Sequence, residues 1–263
     1  MRDRLFRRAF RRAFFAAAVV LCLLDGAALR QLRRTETAGE PPKPAVSAEP
    51  LTVLLMRQAE EPHTFLLLRL DPKAERIALV PLPAALETAG GEALGAVWRE
   101  SGGARACAAL EETLGAPVDR YLALPDEAAA ALLELLGSVD LSLPEGETER
   151  RILGGAQLLQ AADESGLAGG ERLALIDSMA RAVLEQRLPL LSSRAIESLF
   201  RTAVNEGESD LTAVDFETRR AALPALCEAA SVACEIPRME DISGKTLSGE
   251  SQRRLKALLS SSK

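Results

Sequence analysis

Apolar and polar positions change their period along this chain, and the changes mark its elements. Three apolar runs of strand length come first, Leu51 to Met56, Thr64 to Leu70 and Arg76 to Leu82, with a clear turn at Asp71 to Lys73. Each is nearly continuous rather than alternating, the pattern of strands covered on both faces. The period then becomes helical over Gly103 to Leu114, which stops at Gly115 with Pro117 beyond, and Val118 to Leu124 reads as another strand. Asp126 to Leu136 is a helix-forming Ala/Leu run ending at Gly137, followed by a short strand, Val139 to Leu143, that Pro144 breaks. Ala156 to Ala162, Glu171 to Arg187 and Ser193 to Val204 read as helices, with Pro189 as a break and Ser192 or Ser193 as an N-cap. Asp215 to Ala230 predicts a further helix, Val232 to Ile236 a late strand, and Gly249 to Leu259 a closing helix. Strands alternating with helices predict α/β layering in a single domain over residues 51–263.

The amino-terminal segment has a different logic. Arg2, Arg4, Arg7, Arg8, Arg11 and Arg12 precede an apolar run from Ala13 to Leu24 that continues past Asp25 to Leu29. An arginine cluster of this kind stays in the cytoplasm, so the expectation is a basic cytoplasmic tail at 1–12 and a transmembrane anchor at 13–29. A linker at 30–50 and an extracytoplasmic domain at the cell membrane follow. The uninterrupted apolar stretch is short beside the roughly 20 residues of a spanning helix, so a signal peptide cleaved near Gly26 and Ala28 is the alternative. The segment TETAGEPPKPAVSAEP, Thr35 to Pro50, is polar, Pro-rich and without period, and reads as the spacer that lifts the domain off the membrane.

Composition narrows the chemistry. Aromatic residues make up only 3% of the 263, so aliphatic side chains must fill the core, and a net charge of -6 leaves no basic surplus for nucleic acid. The single histidine, His63, excludes a His-based metal cluster and a Ser-His-Asp triad with a spare base. No GxxxxGK loop is present, and the acidic pairs Glu60-Glu61, Glu111-Glu112 and Glu240-Asp241 read as solvated surface. Cys22 falls within the anchor and Cys107 on a helix that should bury it. Cys227 and Cys234 are close enough in sequence for a disulfide in an oxidising compartment, yet a helix-to-strand turn between them can hold them beyond bridging distance.

The order of segments is more informative than any one motif. TFLLLRLDPKAERIALVPLP (Thr64 to Pro83), GGARACAALEETLGAPVDRYLAL (Gly102 to Leu124), LLELLGSVDLSLPEG (Leu132 to Gly146), the "GxQxL" helix start at Gly155 to Gln160 and SDLTAVDF (Ser209 to Phe216) together resemble the LytR-CpsA-Psr family. The resemblance covers Leu51 to the carboxyl terminus by pattern. It implies a three-layer α/β domain with a central mixed β-sheet flanked by helices, in a membrane-anchored envelope protein. Active members transfer glycopolymers from a polyprenyl pyrophosphate carrier to the cell wall, which implies a diphosphate clamp of arginines with Mg2+ beside it.

Most of that clamp is missing here. Where the family's third strand ends in Pro-Arg-Asp, this chain has Pro83, Ala84 and Ala85, and His63 stands in place of an aspartate that would ligate the metal. Asp163 and Ser165 occupy the region of two family arginines, and Leu175 and Ile176 that of an Arg-Gln pair, leaving Arg172 as the one matching candidate for ligand binding. The expectation is therefore a degenerate, non-catalytic domain, with no cofactor unless the family's Mg2+-dependent activity is retained. Its expected partners are a membrane lipid such as polyprenyl phosphate, or envelope-assembly proteins. The alternative is an active phosphotransferase in which scattered arginines such as Arg57, Arg69 and Arg99 join Arg172.

Overall fold

The apolar runs after residue 50 form a meander of three antiparallel strands in the computed structural model, which describes residues 49–58, 64–142, 150–164, 167, 169–240 and 245–260. The segments expected as tail and anchor, most of the linker with Cys22 before it, and the positions His63 and Ser165 lie outside the described residues. Among the described residues no helix is long and apolar enough to cross a membrane.

Strand β1 (Leu51–Gln58) pairs with β2 (Thr64–Asp71), placing Leu55 opposite Leu66, and β2 pairs with β3 (Arg76–Pro83), placing Leu67 opposite Val80. β4 (Arg120–Pro125) joins parallel to β1. The small second sheet is the hairpin of β5 (Val139–Ser142) and β6 (Arg150–Leu153). Two late strands complete the main sheet: β7 (Glu208–Ser209), antiparallel to β4, and β8 (Ser231–Cys234), parallel to β3. The order is β7-β4-β1-β2-β3-β8, so β1, β3, β4 and β8 bring their carboxyl ends to one edge.

Successive side chains alternate between the faces of this sheet, and both faces are apolar. Leu54, Met56, Phe65, Leu67, Val80 and Leu82 pack beneath α1 (Leu94–Leu114) and α8 (Gly249–Leu259). The opposite face carries Val53, Leu55, Leu66, Leu68 and Leu79 and is covered by α2 (Asp126–Leu136), α3 (Gly155–Glu164), α4 (Gly169–Arg187), α5 (Ser193–Glu206) and the short α6 (Ala213–Glu217) and α7 (Leu223–Ala229). This is the expected layering of a mixed sheet between helices.

Several elements depart from expectation for local reasons. Helix α1 begins at Leu94, not Gly103, because a break that reads as a turn is a kink inside it: Gly102 takes φ 77° and ψ 179°, which the absence of a Cβ permits. The added turns bring Trp98 between Phe65, ring centroids 5.7 Å apart, and Tyr121, 5.5 Å apart. The single helix expected over Asp215 to Ala230 is two, since Pro224 stands at the start of α7, where it can begin a helix but not continue one. Strand β6 has no apolar run to announce it, and β7 is only two residues long. Ser192 does cap α5, accepting from the Ala195 N–H at 3.2 Å, and Gly249–Leu259 is helical as the pattern predicts. Cys107, Cys227 and Cys234 are unbridged thiols here; burial pushes that of Cys107 up to about 12 and that of Cys234 up to about 11.

Candidate functional site

The helices on the second face do not seal against the sheet. Between Leu55, Leu66, Leu68 and Leu79 below and Leu133, Leu158, Leu159, Ala162, Ile176 and Met179 above lies a cavity of about 270 Å³, close to the ~300 Å³ at which small-molecule sites begin. Every residue lining it is apolar. A second cavity of about 170 Å³ abuts it at Leu55 and Leu68 and continues under Phe200, Leu211, Phe216 and Leu223. The void follows from the side chains available: the helices cross here on Ala, Leu, Ile and Met, while the rings of Phe65, Trp98 and Tyr121 fill the other face.

An ionic cluster is built from sequence neighbours of residues that line the larger cavity. Arg57 follows Leu55 on the same face of β1, Asp163 follows Ala162 on α3, and Arg172 lies one turn before Ile176 on α4. Asp126 opens α2 two turns before Leu133, beside the carboxyl ends of β1 and β4. Crevices at such strand ends are where open α/β sheets take ligands.

Arg57 is fully engaged within the cluster. Arg57 Nε and Nη2 donate to the two carboxylate oxygens of Asp126 at 2.5 and 2.9 Å, and Nη1 and Nη2 donate to those of Asp163 at 2.8 and 2.8 Å. Two bidentate pairs on one guanidinium are the strong form of the interaction. They hold Arg57 above its ordinary range and Asp126 below its own, through these hydrogen bonds foremost. Arg172 approaches Asp163 from the other side, Nη2 to Oδ1 3.8 Å, with its side chain only 18% exposed and its Nε buried without a hydrogen-bond partner.

The other positions singled out by sequence fall as follows. Ala84 and Ala85 form the turn just after β3; the Ala84 carbonyl accepts from the Gly95 N–H at 2.8 Å, and a Cβ at Gly95 would meet that of Ala84 at 3.1 Å, so the start of α1 rests directly on this turn. Leu175 is buried among the helices and Ile176 lines the cavity. Arg69 is buried on the packed face with Thr52 Oγ1 at 3.1 Å and Asp71 at 3.8 Å, and Arg99 is exposed on α1. Of the scattered arginines, the fold brings Arg57 to Arg172, with aspartates between them. Among the described residues no group of three or more His, Cys, Asp or Glu is arranged to hold a metal, and the nearby carboxylates of Asp126 and Asp163 both accept from Arg57; these residues do not fit Mg2+. Asp126 was not legible from sequence. A lone cation two residues beyond Leu55 on a covered strand is the signal that Arg57 needs carboxylate partners.

No family model matches the chain, and no curated protein matches it in sequence. Solved structures do. A transcription regulator from Eubacterium siraeum superposes with a TM-score of 0.73 at 14% identity, over 83% of this chain and 96% of that one. B. subtilis TagV matches with a TM-score of 0.63 at 14% identity, over 81% and 96%. TagT, solved bound to LIIa-WTA, matches at 0.64 and 14%, over 80% and 89%. TagV and TagT are LytR-CpsA-Psr proteins, and this chain has their fold.

Proposed function

We propose that this is a cell-envelope module that keeps the LytR-CpsA-Psr fold without its transfer chemistry and holds a polyprenyl chain in the cavity beneath α3 and α4. The observation that carries this reading is a lining with no polar side chain, beside a second cavity along β1 that is apolar apart from Asp215 and Arg219. Burying an aliphatic chain there gains about 0.8 kcal/mol for each CH2 removed from water, with no polar partner required. Solved neighbours that include TagT bound to LIIa-WTA support a ligand from envelope assembly. The tail and apolar run of residues 1–29 support a membrane setting, with the amino terminus cytoplasmic and the domain outside.

Two features speak against transfer. Ala84 and Ala85 offer no guanidinium or carboxylate at the end of β3, and the arginines that do converge are already matched by aspartates. A diphosphate transition state needs cationic donors aimed at its developing charge, whereas all three nitrogens of Arg57 are engaged by Asp126 and Asp163, and Arg172 Nη2 lies 3.8 Å from Asp163.

Native mass spectrometry of the full chain, extracted from its own membranes, tests the reading. A co-purifying isoprenoid mass is expected, and it should be lost in Ala180→Phe, which fills the cavity from α4 while leaving the packed face untouched. A chain that carries no lipid, with the same spectrum in both forms, points instead to an envelope-assembly protein as partner. Divalent-dependent transfer of a glycan from a polyprenyl diphosphate carrier would revive the phosphotransferase.

A further inference from the structure

The two cavities share one floor, and the register of the strands gives their course. The smaller follows β1 from Leu55 back through Val53 to Leu51, about 13 Å at ~3.3 Å per residue, under Phe200 of α5, Phe216 of α6 and Leu223 of α7. The larger runs the other way, from Leu55 across Leu66 and Leu68 of β2 to Leu79 of β3, two strand spacings or about 10 Å, under α3 and α4. Leu55 and Leu68 line both. Because Leu55 pairs with Leu66 and Val53 with Leu68, the two are diagonal neighbours on one face of the sheet, and their side chains stand between the cavities.

This partition is loose. β1 and β2 lie inside a six-stranded sheet, yet Leu55 and Leu68 are only half-buried, whereas Leu54 and Leu67, facing the other way, have no exposure. With a void on either side, a change of rotamer at Leu55 or Leu68 has room to occur.

Volume then sets a count. A dry apolar cavity of ~150 Å³ holds one benzene, or about 25 Å³ for each carbon. On that scale the larger cavity takes about eleven carbons and the smaller about seven. The smaller cavity also has a charged border. Asp215 and Arg219 line it, with side chains only 11% and 12% exposed. Asp215 accepts from Arg120 and Thr212, and Arg219 donates to the carbonyls of Glu49 and Asp215 at 3.3 and 3.1 Å. An alkyl end pushed past them would strip buried charges of these partners, which is costly.

We propose that the two cavities are successive chambers of one channel, with Leu55 and Leu68 as its gate and Asp215 and Arg219 as its stop, and that it sheathes about eighteen carbons of a chain, between three and four isoprene units. This rests on the reading of the larger cavity as a lipid site and adds a chain length to it. A longer polyprenyl chain leaves its remainder outside.

The test is amide hydrogen exchange on the full chain in detergent micelles, each protein compared with and without alcohol, with occupancy checked by native mass spectrometry. Geraniol, of two isoprene units, fits the larger chamber alone and should slow exchange in α3 and α4 only. Geranylgeraniol, of four, should slow it in α5 and α6 as well. Leu223→Phe fills the smaller chamber from α7 and should abolish the added protection while keeping that of α3 and α4; Leu211→Phe fills it from the segment before α6 and serves if the first variant fails to fold. Geranylgeraniol protection confined to α3 and α4 in the native chain means a sealed partition, and it overturns the channel while leaving the lipid site standing. Protection of α5 and α6 by geraniol, or by geranylgeraniol in the filled variants, overturns it equally. Binding of neither alcohol overturns the lipid reading and this inference with it.

Discussion

The two faces of the central sheet are built from the same residue types and end differently. On one, Leu54, Phe65, Leu67, Val80 and Leu82 are fully buried beneath α1 and α8, with Trp98 and Tyr121 packed at its margin. On the other, Leu55, Leu66, Leu68 and Leu79 leave two adjoining cavities under the helices, with ionic groups at their borders. The difference lies in which side chains come from above. Aromatic rings and a kinked helix cover one side, whereas short aliphatic residues on α3 and α4 border cavities on the other. A face can therefore be apolar enough to fold and still be open enough to take a ligand.

The sharpest way to break this comparison is to truncate each face. Phe65→Ala, at a side chain with no exposure, should cost about 3–5 kcal/mol in denaturant unfolding, while Leu66→Ala, its neighbour on the cavity side, should fall at the low end of the leucine range, near 2 kcal/mol. Equal losses would mean the two faces are equally filled. Next in size is the ionic border of the smaller cavity. The Asp215 carboxylate accepts from Arg120 at 2.9 and 3.2 Å and from Thr212, and Asp215→Asn should cost about 1.5–3 kcal/mol. Burial pushes this carboxyl upward, but the hydrogen bonds from Arg120 and Thr212 outweigh it and hold it below its ordinary 3.8. Its contribution is therefore complete above that ordinary value and is lost as pH falls through the lower folded-state value; an acid-unfolding midpoint unmoved in Asp215→Asn would contradict this.

Much of the first face was legible in the sequence, because three apolar runs separated by turn residues admit few other structures. The kink in α1 was not, since a Gly102-Gly103 pair reads as a turn unless the close approach of Tyr121 to Gly103 is known; a Cβ at Gly103 would collide with that ring. Pro224 was in plain sight as a breaker, yet the apolar period runs through it and suggested one helix over Asp215 to Ala230 where there are two. The candidate site was half legible. Resemblance marked Asp163 as an altered position and Arg172 as the one matching arginine, but nothing local ties Arg57 to Asp126, 69 residues away, or to Asp163, 106 residues away. Pairings of that range exist only once the sheet and its crossovers have formed.

Smaller changes sharpen the contrast further. Ala106→Leu on the packed face should cost about 1–3 kcal/mol through overpacking, whereas Ala180→Leu should be nearly neutral because the cavity receives the added methylenes. Smallest of all, Asp126→Asn and Asp163→Asn should each shift stability by less than about 1 kcal/mol, since both carboxylates are about half exposed and screened by solvent. A loss several times larger would make the cluster a structural clamp.

The measurement closest to the central claim is amide hydrogen exchange on the full chain with and without geranylgeraniol. Slowed exchange is expected in α3 and α4, whose residues line the larger cavity, with α1 and α8 unchanged. Protection confined to α1 and α8, or none anywhere when the compound is bound, would contradict the assignment of the open face as the ligand site.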